Sequence, residues 1–253
     1  DSDNNNNILI TGKFIGTFDF DPGSGIYSLT SGNSDDIFIT KLDPFGNFIW
    51  AKSMGANNYD QGLSVSTDSK NNIFATGSFM GTVDFDPGSG VFNLTSAGGS
   101  DIFVNNLDSS GNFISAFSFG NTDPDVGTSI KIRNDDSRII AGYFRNTVDF
   151  NPGSGVYPLT STGGISDAFV TIYTNPIVSP ELNSKYLAMD TLKITWRSHF
   201  DSLFIDISID ADNYTTDPIV QNIPGLQREF LWVVPQNIVD YKSNLKISDA
   251  SNQ

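Results

Sequence analysis

The chain has 253 residues, no cysteine, and 29 acidic against 14 basic side chains, a formal charge of −15. Such a surface repels phosphate backbones and anionic lipid, so no nucleic-acid partner is expected, while cations are attracted, Ca²⁺ first among them outside the cell. No run of about 18 apolar residues is present to span a bilayer, so no membrane insertion is expected. The absence of cysteine rules out disulfides, thiolate catalysis and cysteine-ligated zinc.

In chain order, the first feature is a long repeat. The segment Thr11-Gly12-Lys13-Phe14-Ile15-Gly16-Thr17-Phe18-Asp19-Phe20-Asp21-Pro22-Gly23-Ser24-Gly25 returns at 76–90 and again at 141–155. Gly12, Gly77 and Gly142 are spaced by 65 residues, as are Pro22, Pro87 and Pro152. A fixed period of this length specifies stacked or radial supersecondary units. The 20 Phe residues, set among abundant Gly, Asn, Asp, Ser and Thr, fit short strands joined by many turns.

Within the second copy the pattern predicts strands over 62–68, 72–79, 101–108 and 112–119. The third of these is rich in β-branched and aromatic residues and has copies at 36–43 and 167–173. The hairpins Asp43-Pro44-Phe45-Gly46-Asn47 and Asp108-Ser109-Ser110-Gly111-Asn112 open on Asp and supply Gly where the turn needs a positive φ. Between the second and third strands, an insertion carries Asp-Phe-Asp-Pro-Gly-Ser-Gly and ends at Leu29, Leu94 and Leu159. It reads as an extra hairpin at one rim of the sheet. Four antiparallel strands per unit, repeated, are the signature of a β-propeller blade.

The stretch Gly77-Ser78-Phe79-Met80-Gly81-Thr82-Val83-Asp84-Phe85, with Ser100-Asp101-Ile102-Phe103-Val104 and Gly111-Asn112-Phe113-Ile114 after it, resembles the bacterial SBBP-type β-propeller repeat family over residues 1–173. The resemblance implies a propeller-like extracellular protein of a kind common among Bacteroidota, secreted or on the cell surface. It carries over no catalytic residue. The copies are out of phase: the first enters at Asn7-Ile8-Leu9-Ile10 without a counterpart of 62–68, and the third stops at Tyr173 without a counterpart of 112–119. Fewer than three complete blades fall short of the four to eight that close a propeller. Open sheet edges need cover, so neighbouring segments of a longer chain, or other copies of this one, are the expected partners, by strand addition in a filament.

After Tyr173 the period is lost. Residues 174–180 read as a Pro-punctuated linker, and 181–253 as alternating strands without a repeat, as in a small β-sandwich. The order Ile194-Thr195-Trp196, Ile207-Ser208-Ile209-Asp210, Trp232-Val233-Val234-Pro235, Leu245-Lys246-Ile247-Ser248-Asp249 is similar to Ig-like modules of secreted Bacteroidota proteins, with Trp196 and Trp232 as core anchors. The expected fold class is therefore all-β: propeller-type four-stranded repeats followed by an Ig-like sandwich.

One set of residues carries chemical potential: Asp19 and Asp21, Asp84 and Asp86, Asp149 and Asn151. Two carboxylates one residue apart before a tight Gly turn can present oxygens to Ca²⁺, although no bidentate Glu follows. The same residues can equally cap backbone N–H groups as Asx turns before Pro-Gly. His199 beside Ser198 and Asp201 is too close in sequence to converge as a triad, and no nucleophile elbow precedes it. The Gly-x-Gly segments open no helix, which removes a dinucleotide reading. Asn93-Leu94-Thr95 and Asn213-Tyr214-Thr215 fit the N-glycosylation pattern, and Asp190-Thr191-Leu192 and Asp201-Ser202-Leu203 resemble a short O-glycosylation acceptor. The expected function is structural or adhesive and not enzymatic, because catalytic side chains break a propeller's symmetry. The alternative is a carbohydrate-binding or carbohydrate-active propeller, binding surface glycans, whose active residues lie in blades outside this segment.

Overall fold

The computed structural model describes residues 1–151, 156–162 and 166–173, and beyond them the strand segments 177–179, 191–196, 202–210, 213–214, 220–224, 229–233 and 244–249. Every regular element among them is a β-strand. The chain divides into two compact units, Asp1–Tyr173 and Thr174–Gln253.

The first repeat folds as β1 (Ile8–Phe14), the short strands β2 (Thr17–Asp19) and β3 (Ser28–Thr30), then β4 (Asp36–Leu42) and β5 (Phe48–Met54). The second gives β6 (Gln61–Thr67), β7 (Ile73–Phe79), β8 (Thr82–Asp84), β9 (Asn93–Thr95), β10 (Asp101–Leu107) and β11 (Phe113–Phe119). The third gives β12 (Val126–Ile132), β13 (Arg138–Phe144), β14 (Thr147–Asp149), β15 (Pro158–Thr160) and β16 (Asp167–Tyr173). The second repeat is a four-stranded antiparallel meander in the order β11-β10-β7-β6; its neighbours are β1-β4-β5 and β12-β13-β16. Each insertion forms its own two-stranded hairpin, β2–β3, β8–β9 and β14–β15. In the first repeat, Ser2 bridges to Ile8 and the Leu9 amide donates to Asp1 O, so Asp1 and Ser2 stand at the end of the first-strand position that the sequence pattern left blank.

The strands stop short of Asp68, Asn72, Asp108 and Asn112 because those side chains build the turns. Asp68 Oδ1 accepts from the Lys70 and Asn72 amides, and its Oδ2 accepts from Asn72 Nδ2. Asp3, Asp43 and Asp108 repeat the arrangement with Asn7, Asn47 and Asn112. The left-handed residue of these turns is Gly46 (φ 85°) or Gly111 (φ 81°) after the third strand, but Asn6 (φ 60°) or Asn71 (φ 64°) after the first. Asn tolerates this region because its short polar side chain bonds locally.

The core lies between successive sheets. One layer joins Leu9, Ile37, Ile39 and Met54 of the first repeat to Ile73, Ala75, Phe103 and Leu107 of the second. The next joins Phe74, Ile102, Val104 and Phe119 to Ile140, Phe144, Phe150 and Phe169. A triad of rings recurs in each repeat: Phe14–Phe20–Phe38, Phe79–Phe85–Phe103 and Phe144–Phe150–Phe169, with the first two rings edge-on at 5.2 Å every time. Edge-to-face pairs contribute about 1 kcal/mol each beyond burial. The repeating glycine sits under the third ring: a Cβ on Gly12, Gly77 or Gly142 would lie 2.7, 3.0 or 2.8 Å from the ring of Phe38, Phe103 or Phe169. Side chains also stitch one sheet to the next. Ser64 Oγ accepts from the Ile130 amide at 3.1 Å, and Ser66 Oγ from the Ile132 amide at 3.2 Å. Lys41, buried, pairs with Asp3 at 2.9 Å and donates to Ser109 O of the next repeat.

The second unit contains β17 (Ile177–Ser179), β18 (Thr191–Trp196), β19 (Ser202–Asp210), β20 (Asn213–Tyr214), β21 (Val220–Pro224), β22 (Glu229–Val233) and β23 (Asn244–Asp249). One sheet is ordered β17-β18-β22; in the other, β19 pairs with β20, β21 and β23, all antiparallel. This corrects the linker expected over 174–180: Ile177 pairs with Trp196, so 177–179 is part of a sheet. Two consecutive β-branched residues favour the strand, and prolines on both sides in sequence suit an edge position. The side chains of Trp196 and Trp232, and residues 198–201 with His199, lie outside the described residues.

Candidate functional site: the repeated rim hairpins

Three cross-strand threonine pairs define the base of the hairpins. Their hydroxyls meet at 2.9 Å for Thr17 and Thr30, and at 2.8 Å for Thr82–Thr95 and Thr147–Thr160. Above them the first Asp of the motif closes the loop. Asp19 Oδ1 accepts from the Asp21 amide at 3.0 Å and the Tyr27 amide at 2.8 Å. Asp84 Oδ1 accepts from Asp86 and Phe92 at 3.0 and 2.7 Å, and Asp149 Oδ1 from Asn151 and Tyr157 at 3.0 and 2.7 Å. The second Asp caps the following Gly turn: Asp21 Oδ1 accepts from the Gly23 amide and Asp86 Oδ1 from Gly88, each at 2.8 Å. The carboxylate lies so close to the loop that a Cβ on Gly25 or Gly90 would meet its Oδ2 at 2.1 or 2.2 Å. This is the hydrogen bonding of an Asx turn. Each pair is thus brought together within its own loop. Among the described residues no group of three or more His, Cys, Asp or Glu side chains gathers in one place.

The tips carry an aliphatic residue followed by an aromatic one. Ile26, Val91 and Val156 are 82, 74 and 75 % exposed. Tyr27 and Phe92 lean back on the fourth strand, with ring centroids 4.8 Å from Phe48 and Phe113. A shallow open groove runs between the first rim hairpin and the Asp43–Asn47 turn, lined by Asp21, Gly23, Gly25, Asn47 and Phe48.

A second set of carboxylates escaped the sequence reading. At each junction between repeats an aspartate is buried with its backbone tied across the gap: the Asp60 amide donates to Asp35 O, and the Asp125 amide to Ser100 O. Asp60 accepts from the Ala56 and Met80 amides at 3.1 and 2.9 Å; Asp125 accepts from Asn121 and Arg145, both at 2.8 Å. Beside them Asp36 and Asp101, also buried, each use one oxygen on Gly32 or Ala97 and leave Oδ1 without a partner. Burial pushes Asp60 up to about 6, with the charge of Asp36 adding to it; Asp101 rises to about 6 by burial, with Asp125 adding. Asp36 and Asp125 are raised too, again chiefly by burial. The signal was the same period: Asp36 recurs as Asp101 and Asp60 as Asp125, each 65 residues on.

Over 113 aligned residues the chain is 32 % identical to an uncharacterized WD repeat-containing protein of Acanthamoeba polyphaga mimivirus. The repeat is of the β-propeller type. The match covers 39 % of this chain and 8 % of that relative, so the chain spans a small part of the relative's length. No protein-family model matches the chain.

Proposed function

We propose that this chain is a segment of an extracellular structural and adhesive protein, built from SBBP-type propeller repeats and an Ig-like module, secreted or held at the cell surface. The observation that carries the reading is the sameness of the rim hairpin from repeat to repeat. Its caps, its threonine pair and its exposed aliphatic tip recur, while the sheets beneath it are held by packed aromatic triads. Rigid display of one apolar tip per repeat favours multivalent contact, in which weak single contacts add through effective concentration.

The test is adhesion of the immobilised chain to cells and to arrayed glycans. Ile26→Ser, Val91→Ser and Val156→Ser are compared singly and together. Retention is expected to fall stepwise as tips are removed, with unchanged melting because the tips are exposed. Equal retention by wild type and triple variant overturns the tip-based reading. Glycan cleavage by the wild type would move the protein to the carbohydrate-active alternative.

A further inference from the structure

We propose that the buried pair Lys41–Asp3 condenses after folding into an isopeptide bond, a covalent staple between the Asp3–Asn7 turn and β4. Lys41 Nζ lies 2.9 Å from Asp3 Oδ2, with the two side chains 5 and 0 % exposed. The other ion pairs among the described residues, Lys13–Asp35 and Lys131–Asp1, each keep the lysine open to solvent. Opposite Lys41 on its two neighbouring strands stand Leu9 and Trp50, both buried. Two charges held out of water among apolar side chains are costly, and joining them removes both.

The turn supplies the rest of the chemistry. Asp3 Oδ1 accepts from the Asn5 and Asn7 amides at 2.9 and 3.0 Å, so two backbone donors surround the oxygen on which charge gathers when Cγ is attacked. Asn7 Nδ2 donates at 2.9 Å to Oδ2, the oxygen that leaves. Lys41 Nζ also donates to Ser109 O at 3.1 Å, so the lysine is held from both sides. An amine and a carboxyl fixed in this way can reach an effective concentration of about 10⁵–10⁸ M, which favours the amide over the separated ions. The step balances without a co-reactant. Nζ passes one proton to Oδ2, its lone pair attacks Cγ, and Oδ2 leaves as water with that proton and a second from Nζ. One C–O bond is exchanged for one C–N bond and two N–H bonds for two O–H bonds, and the two charges vanish together. Before condensation Asp3 titrates with the other turn carboxylates; afterwards no ionisable group is left at either position. The same cradle exists at Asp43, Asp68 and Asp108, but among the described residues none of these carboxylates pairs with a lysine. At the position of Lys41 the second repeat carries Asn106. The lysine is therefore not something the repeat needs in order to fold. A chain without cysteine closes no loop by disulfides, and this bond closes the one between Asp3 and Lys41.

The experiment is the intact mass of the folded full chain, followed by digestion and fragment sequencing in the mass spectrometer. The expected mass is lower than that of the 253-residue sequence by one water, with a branched fragment joining Asp3 to Lys41. Lys41→Arg keeps the charge but offers no attacking amine, and Asp3→Ala removes the acceptor. Each is expected to restore the full sequence mass. A folded wild type that keeps its full mass overturns the proposal and leaves an ion pair only. So does a loss of water that maps to other residues or persists in either variant. The wild-type mass and the branched fragment decide by themselves, so the result stands even where a variant fails to fold.

Discussion

Asp19 and Asp60 perform the same local task in opposite settings. Each carboxylate accepts two backbone amides and ties two stretches of chain together. Asp19 is exposed at the rim, where water can replace either bond, while Asp60 is fully buried between two repeats. The comparison teaches that the motif does not set the worth of a capping aspartate; its access to solvent does.

The sharpest way to break the comparison is to delete the buried member. Asp60→Ala or Asp125→Ala leaves two part-buried amides without an acceptor and a void where a buried side chain tied two repeats together, and a loss of roughly 3 kcal/mol is expected, read as a lower midpoint in urea. Asp60→Asn, which keeps one oxygen, should recover part of it. A midpoint equal to wild type in Asp60→Ala would show that the junction is not held by this group.

A somewhat smaller effect is expected from pH. Asp60 and Asp101, near 6 in the folded chain against an ordinary value of 3.8, bind their protons more tightly folded than unfolded. Their contribution is fully present below about 4 and is lost as pH rises through about 6. Asp36 and Asp125, raised in the same direction, reinforce it. Thermal melting should therefore be higher at pH 5 than at pH 7.5, by on the order of 2 kcal/mol of stability. The turn carboxylates oppose this in strong acid. Donation from Asn47 lowers Asp43; burial works against the same lowering at Asp3, where bonds from Lys41 and Asn7 prevail. Stability from Asp43 and Asp3 is present above 3.8 and disappears as pH falls through their lowered values. A melting curve that is flat between pH 5 and 7.5 would remove the buried aspartates as its controlling groups.

Asp19→Ala and Asp84→Ala should cost less, about 1 kcal/mol, because solvent reaches the freed amides. Urea midpoints of these variants, set beside Asp60→Ala, measure the difference directly. The smallest effect concerns cations. The Asx-turn bonding of the rim carboxylates predicts melting temperatures that do not move with chelator or added Ca²⁺. A rise on adding Ca²⁺, abolished in the Asp19→Ala and Asp84→Ala chains, would assign the loops to metal.

Much of the all-β repeat was legible in the sequence because its determinants are local. The strands of the second repeat, the rim hairpin and the Asp-x-x-Gly-Asn turns all follow from alternation and turn chemistry. The turns after the first strands were harder to read, since Asn6 and Asn71 take the positive φ for which Gly is the usual signal. The junction aspartates were legible only as a recurrence, Asp36 returning as Asp101 and Asp60 as Asp125, which says nothing of their burial. Asp60 looks like an ordinary loop acid and Asp101 like the polar first residue of a strand until the fold buries them, and burial by a distant segment leaves no trace in local pattern. Ile177 and Val178 show the reverse: a proline-flanked stretch that reads as a break becomes a strand once β18 lies beside it.

The way each sheet meets the next has a hereditary consequence. The two sides of the junction, Ile37 and Ile39 facing forward and the counterparts of Ile73 and Ala75 facing back, are encoded within one 65-residue cassette. A tandem duplication in the gene therefore inserts a unit that already fits both neighbours, and a deletion of one period brings two fitting surfaces together. Copy number can drift by recombination between near-identical stretches without any new complementarity having to arise.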